Sequence, residues 1–521
     1  MSFTSGAFIL FLAAVVAVYY VVPRKYQWLV LIIASYGFYM AGGAKTVVYL
    51  VFTTLTTYGA GRLLGILNGR RNALSGEEKK TQGNKIKRQK QGVVAAAVIV
   101  NFGLLYVLKY WNFTASAVAN LSGGAVLLPE FDLLMPLGVS FYMFQSIGYV
   151  VDCYRGKYEP EGNVLKYGLF VSFFPQVVQG PISRFDQVGH QLAGEHPFDA
   201  DNLKYGIQLA MWGYLKKLAI ADRAAIVVNT VFGDYGSYSG SMIAMGVFFY
   251  CIQLYCDFSG GIDVTRGVAK MLGIDLADNF CRPLFATSLA DYWRRWHITL
   301  GQWMKDYVFY SLTLSKPFVK LGKFTRRKIG GKLGKVIPTS LATFVVYFII
   351  GIWHGANFRY IFFGLWNGAI ITSSLLLANP YYQLRQKLHI GEDSRGLKVF
   401  RMVRTWLLVF LGRYISRAPR LMTAFSMMWA TVSRFHPSDL WNGTVLTLGL
   451  PLGDLLVVAA GMAVLVAVEY LQERGLQVRK WLGEQHFMVQ WLAILIPLVV
   501  LLLLGIMRGS YISSEFIYKQ F

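Results

Sequence analysis

The chain has 521 residues, 51 of them Lys or Arg against 27 Asp or Glu, for a formal charge of +24, yet 55% of its positions are apolar. Only 15% are charged, where a soluble globular domain carries about 25%. That excludes a disordered chain and argues against a soluble nucleic-acid binder, whose basic surface needs a charged exterior throughout. What remains is a polytopic membrane protein that holds its positive charge in loops.

In chain order, residues 6–22 form the first apolar run. No basic segment precedes it and no small-residue cleavage site follows, so it reads as a retained span rather than a signal peptide. Further apolar stretches near the length a bilayer needs occur at 27–42, 46–68, 92–110, 134–152, 240–258, 337–353, 359–378, 402–415, 454–470 and 488–507. The segments 164–182 and 204–231 are interrupted by Pro175, Pro181 and the Lys216-Lys217 pair, which suits re-entrant or interfacial helices better than clean spans. The expected fold is all-α, with about 10 to 13 transmembrane helices plus these re-entrant and interfacial pieces.

Sidedness follows from the Lys/Arg bias of short loops. Residues 69–91 hold eight basic residues and 316–335 another eight without an acid, so both are expected on the cytoplasmic side. Counting spans from these anchors places the N-terminus, the 111–133 loop and the C-terminus outside. The four cysteines, Cys153, Cys251, Cys256 and Cys281, show no CxxC spacing and read as small packing residues, and no HExxH, Walker-type loop or GxSxG elbow occurs. No metal and no bound cofactor is expected.

Ionisable groups inside membrane segments are costly and are functional candidates by default. They are densest between Gln253 and His354. The run QLYCDFSGGIDVTRG puts Gln253, Asp257 and Ser259 at the end of an apolar stretch, where the paired glycines are expected to break the helix. In SLADYWRRWHITLGQWMKDY, Asp291, Arg294, Arg295 and His297 recur three and four apart, so that Asp291 can pair with either arginine. Trp293, Trp296 and Trp303 give this segment the character of an interfacial helix, in which the histidine only completes a hydrogen bond. His354 is the one imidazole in some thirty apolar and aromatic residues, between Gly351 and Gly355 and followed by Asn357. A desolvated neutral imidazole can take a proton at neutral pH, and the small neighbours would admit a substrate. A purely structural hydrogen bond is the alternative for His354 too.

Four segments together, WRRWHITL around His297, GIWHGANF around His354, MPLGVSFYMFQSIGYVVDCYRG at 135–156 and FFPQVVQGPISRF at 173–185, resemble the membrane-bound O-acyltransferase family. Within it the likeness is to bacterial alginate O-acetyltransferase membrane subunits and the teichoic-acid D-alanyl transferase. The resemblance spans roughly residues 1–415. It implies helices surrounding a catalytic tunnel, transfer of an acyl group from a thioester to a hydroxyl, and a catalytic role for His354, with His297 at the preceding polar position. Relatives commonly continue Asp-Phe-Ser-Gly with Tyr-Ser-Asp. Here Gly261-Ile262-Asp263 keeps the aspartate and loses the aromatic ring.

Such a transfer needs a base for the hydroxyl proton and donors for the oxyanion. His354 can be the base, and His297, Asn357 or Trp293 can be the donor. Asp257, Ser259, Trp293, Arg294, Trp353 and Asn357 are the candidate substrate contacts. The tail after the last span, residues 508–521, ends Phe516-Ile517-Tyr518-Lys519-Gln520-Phe521. It reads either as an aromatic interface anchor or, by likeness to the end of the small partner in D-alanylation systems, as an acyl acceptor at Tyr518.

The expected organisation is an acyltransferase core at 1–415, additional membrane helices at 416–507 and an extracytoplasmic tail. The expected activity is acetyl transfer from a cytosolic thioester, acetyl-CoA or an acyl carrier protein, toward a polysaccharide or an extracytoplasmic acyltransferase. The setting is the bacterial inner membrane, with the lipid bilayer as partner and no nucleic acid. D-Alanyl transfer to teichoic acid is the competing chemistry. A transporter is the competing class, and it predicts inverted repeats that are not seen.

Overall fold

The computed structural model describes residues 1–330 and 333–506, apart from the side chains of Lys79, Lys80 and Ile506. Among them helices dominate, and the only β-type pairing is an isolated antiparallel bridge between Phe280 and Trp296. Among the described residues six helices are long and apolar enough to cross a membrane, or seven if the bent pair Phe358–Leu376 and Ala378–Lys387 counts as one span. That is fewer than hydropathy alone suggests, because Gly6–Val21 is apolar but only 16 residues long and the stretches expected at 27–42 and 46–68 fall within one candidate, Arg24–Ala73. The stretch predicted at 134–152 becomes the 17-residue helix Val139–Arg155, buried along nearly its whole length.

The described chain divides into two compact units, one of Met1–Ala210 with Ile262–Ala277 and the other of Met211–Gly261 with the described residues that follow Ala277. In the first, the segment from Phe173 to Ser183 is irregular yet buried. Irregular backbone is tolerated at membrane depth only where protein satisfies it, and here it is satisfied. The Phe174 amide donates to Ser35 Oγ at 3.1 Å, the Gln176 and Val177 amides to the Phe173 carbonyl at 3.0 Å, and the Gly180 amide to the Gln176 carbonyl at 2.8 Å. Gly138, at φ +66°, lies so close to this segment that a Cβ would stand 1.8 Å from the Val177 carbonyl oxygen. The backbone conformation and the space therefore both demand glycine there.

In the second unit, the expected break at Gly260-Gly261 does not occur. The helix runs unbroken from Gly240 to Met271. A Cβ on Gly260 would stand 2.7 Å from the Gly213 carbonyl oxygen and 3.3 Å from the Lys217 amide. The glycine lets a neighbouring backbone approach instead of ending the helix. The two basic segments predicted as loops are also helical. One lies in Gly76–Lys109 and the other largely in Lys316–Ile329, because Lys, Arg, Gln and Glu are good helix formers even where they are too polar to be buried.

Candidate active site

His297 sits at a break between two short helices, Leu289–Arg295 and Ile298–Trp303, and adopts left-handed backbone with φ +50°. A bulky residue in that region stores strain that its surroundings must hold, and such residues cluster at functional sites. The surroundings do hold it. The Cys281 amide donates to the Arg295 carbonyl at 2.9 Å, and the Ile298 amide donates to the Asn279 carbonyl at 3.0 Å. His297 is 1% exposed, with Phe258 edge-on at 4.9 Å and Trp353 at 5.7 Å between ring centroids.

His354 ends the helix Leu333–His354. Its ring lies 5.0 Å from Trp353, 6.3 Å from Tyr360 and 6.2 Å from Phe363. The two histidines, far apart in sequence, thus flank one tryptophan.

The glycines beside His354 do not leave room for a substrate. A Cβ on Gly351 would stand 2.5 Å from the Tyr360 carbonyl oxygen and 3.0 Å from Gly364 Cα. One on Gly355 would stand 2.7 Å from the Tyr360 ring. The space read from sequence as substrate access is filled by the helix Phe358–Leu376, whose backbone packs directly on that of Leu333–His354.

The other candidates divide. Trp293 joins the aromatic wall, at 5.8 Å from Tyr347 and 6.3 Å from Phe363, and its indole N–H donates to Asn367 Oδ1 at 3.0 Å. Trp353 stands between the histidines. Asn357 caps the next helix, its Oδ1 accepting from the Arg359 amide at 3.0 Å. Asp291 pairs with both arginines as its spacing predicts, at 3.4 Å from Arg294 and 3.3 Å from Arg295. The Arg294 side chain is 74% exposed, whereas Arg295 turns to Glu473 at 3.0 Å.

Asp257 and Ser259, on either side of Phe258, bind the lysine pair of a π-helical turn, Leu215–Ala221. Lys217 Nζ lies 2.6 Å from Asp257 and 2.8 Å from Asp222, and Lys216 Nζ donates to Ser259 Oγ at 2.9 Å. Arg223 donates to the Leu218 and Ala219 carbonyls of the same turn, at 3.0 and 3.2 Å, and pairs with Asp454 at 3.0 Å. Sequence reading missed Lys216, Lys217 and Asp222 as partners of the Asp-Phe-Ser motif, and it missed Asn279 and Asn367. No local spacing links any of them to the histidines. Tyr518 and the rest of its motif lie outside the described residues. Among the described residues no group of three or more His, Cys, Asp or Glu is arranged to hold a metal.

Residues 161–417, which include the histidines, the aromatic wall and the lysine cluster, match the model of MBOAT, the membrane-bound O-acyltransferase family. The chain is 30% identical to a probable alginate O-acetylase of Pseudomonas aeruginosa over 88% of its own length and 80% of that protein's. The chain belongs to the membrane-bound O-acyltransferase family. This acyltransferase is also 27% identical to the peptidoglycan O-acetyltransferase of Helicobacter pylori, over 67% of the chain and 65% of that enzyme. It is 26% identical to the teichoic acid D-alanyltransferase of Bacillus subtilis, over 62% and 77%. Family membership makes the chain a membrane O-acyltransferase and sets aside the transporter.

Proposed function

We propose that this protein takes acetyl groups from a cytosolic thioester, acetyl-CoA, and moves them across the inner membrane toward the hydroxyls of a cell-surface or secreted polysaccharide. His354 is the base. It removes the proton of the acceptor hydroxyl as the oxygen bonds to the thioester carbonyl carbon. The tetrahedral oxyanion then collapses, the C–S bond breaks, and the thiol leaves with a proton. The observation that carries this reading is the pairing of two buried or half-buried histidines around Trp353 within the segment that matches the family. Acetyl is preferred because the likeness to probable alginate O-acetylases extends over most of the chain. The D-alanyl alternative is kept open by the teichoic acid D-alanyltransferases, which match a shorter share.

Residues 1–415 would form the acyltransferase core, and 416–507 would add membrane helices. Tyr518 would receive the acyl group on the outer side and hand it to an extracytoplasmic acyltransferase or to the polysaccharide itself. The test offers the purified full chain labelled acetyl-CoA and a labelled D-alanyl carrier thioester separately. Label on Tyr518 from acetyl-CoA alone is expected, and a Tyr518→Phe chain should retain no label there and deliver none to polymer. Label from the carrier alone would transfer the reading to D-alanylation, and normal delivery by Tyr518→Phe would end the relay.

A further inference from the structure

Asn279, Thr299 and His297 form a cluster of side chains that are 0%, 4% and 1% exposed. Asn279 Oδ1 lies 3.0 Å from the Thr299 amide nitrogen, 2.9 Å from Thr299 Oγ1 and 3.3 Å from His297 Nδ1. A backbone N–H can only donate, so the atom it meets must be the amide oxygen, which settles which way the Asn279 amide points. That oxygen carries no hydrogen. Its contact with Nδ1, at the long end of the hydrogen-bond range, bonds only if Nδ1 bears the proton. A neutral imidazole has one N–H, so Nε2 is then a lone pair. The Asn279 backbone is itself fixed beside the histidine, since its carbonyl accepts from Ile298 and the next residue forms the bridge to Trp296.

We propose that Asn279 is a positioning residue that holds His297 as the Nδ1–H tautomer, so that His297 meets the reacting groups as a hydrogen-bond acceptor through Nε2 and not as an oxyanion donor. This rests on the reading that His297 works in the acyl-transfer site. It changes the division of labour there. Of the three donors that the sequence allows, His297 is removed and Trp293 gives its N–H to Asn367, whereas Asn357 caps the next helix with its oxygen and keeps its amide N–H2 for donation. The titratable group beside His297 is His354, on the Leu333–His354 helix. The other packed neighbours, Phe258, Trp353 and Thr299, carry no charge.

The direct test is nitrogen NMR of the full chain in lipid nanodiscs with labelled histidine, His297 being assigned by difference against His297→Gln. A protonated Nδ1 with an unprotonated Nε2 is expected. An Nε2–H tautomer or a cationic ring at neutral pH would overturn the proposal. A second arm measures acetyl transfer from labelled acetyl-CoA.

Asn279→Leu should lose on the order of 10²-fold, as a misplaced catalytic group does. Asn279→Asp keeps an accepting oxygen for both Thr299 and His297 and should recover most of that loss. Its carboxylate also favours imidazolium, so the acid limb of the pH profile should rise. Recovery with an unmoved profile would mean that Asn279 only caps the Ile298–Trp303 helix, and would overturn the role. The NMR result does not depend on the donor. Lack of transfer from acetyl-CoA with the Nδ1–H tautomer intact would therefore fault the acetyl reading and not the tautomer.

Discussion

His354 lies among three rings, Trp353, Tyr360 and Phe363. His354→Gln preserves approximate volume and a polar tip but cannot accept a proton. Acyl transfer should fall by about 10²- to 10⁴-fold, the span general-base catalysis supplies, while the melting temperature and helical circular dichroism stay those of the parent. An equal fall in stability would mean that the histidine is a packing residue. His354 and His297 were visible in the sequence because an imidazole among apolar residues is costly and calls for a reason. Asn279 was not visible. A single buried amide gives no periodic or charge signal, and its value comes wholly from being bridged to a histidine 18 residues away.

Between helices, small residues set how closely backbones can approach, and here they set where His354, the proposed base, stands. Gly364, on Phe358–Leu376, faces Leu333–His354 so tightly that a Cβ would stand 2.4 Å from the Tyr347 carbonyl oxygen and 2.8 Å from Gly351 Cα. Gly364→Val must push the two helices apart. Overpacking of this kind costs roughly 1–3 kcal/mol, and the displacement moves His354 at the end of its helix. The expected outcome is a lowered melting temperature together with a fall in transfer rate larger than the unfolded fraction explains. A variant that melts early but has normal specific activity would show that the close approach is not what positions the base. The sequence displayed these glycines but not what they face. Backbone and substrate both need space, and only the fold decides which fills it. The Lys216-Lys217 pair teaches the same lesson. It reads as an interruption of a span because the partners of the two lysines, Asp257 for Lys217 and the Ser259 hydroxyl for Lys216, stand about forty residues further along.

For the whole molecule, the charge that first excluded soluble classes becomes a statement about direction. The helix Gly76–Lys109 has 34 residues, about 50 Å at 1.5 Å per residue, against a hydrocarbon core of about 30 Å. Its first half holds six of its seven Lys and Arg residues, and its second half is predominantly apolar up to the terminal Lys109, so only the second half can lie in lipid and the basic half must project from one face. The helix Lys316–Ile329, with Arg326, Arg327 and Lys328 in its last turn, is expected on that same cytoplasmic side by the positive-inside bias. The acidic 111–133 segment is expected opposite. Introduced one at a time, Lys85→Cys and Lys323→Cys should resist a membrane-impermeant maleimide in intact spheroplasts and react after permeabilisation, whereas Ser122→Cys should react in both. The native thiols provide a low background, since Cys153 and Cys256 are buried and Cys251 and Cys281 are partly covered. Labelling of Lys323→Cys from outside would place the basic helix next to the polymer. An anionic cytosolic thioester would then have no positive surface to approach at that helix, and the proposed inward-to-outward course of the acyl group would have to be reversed.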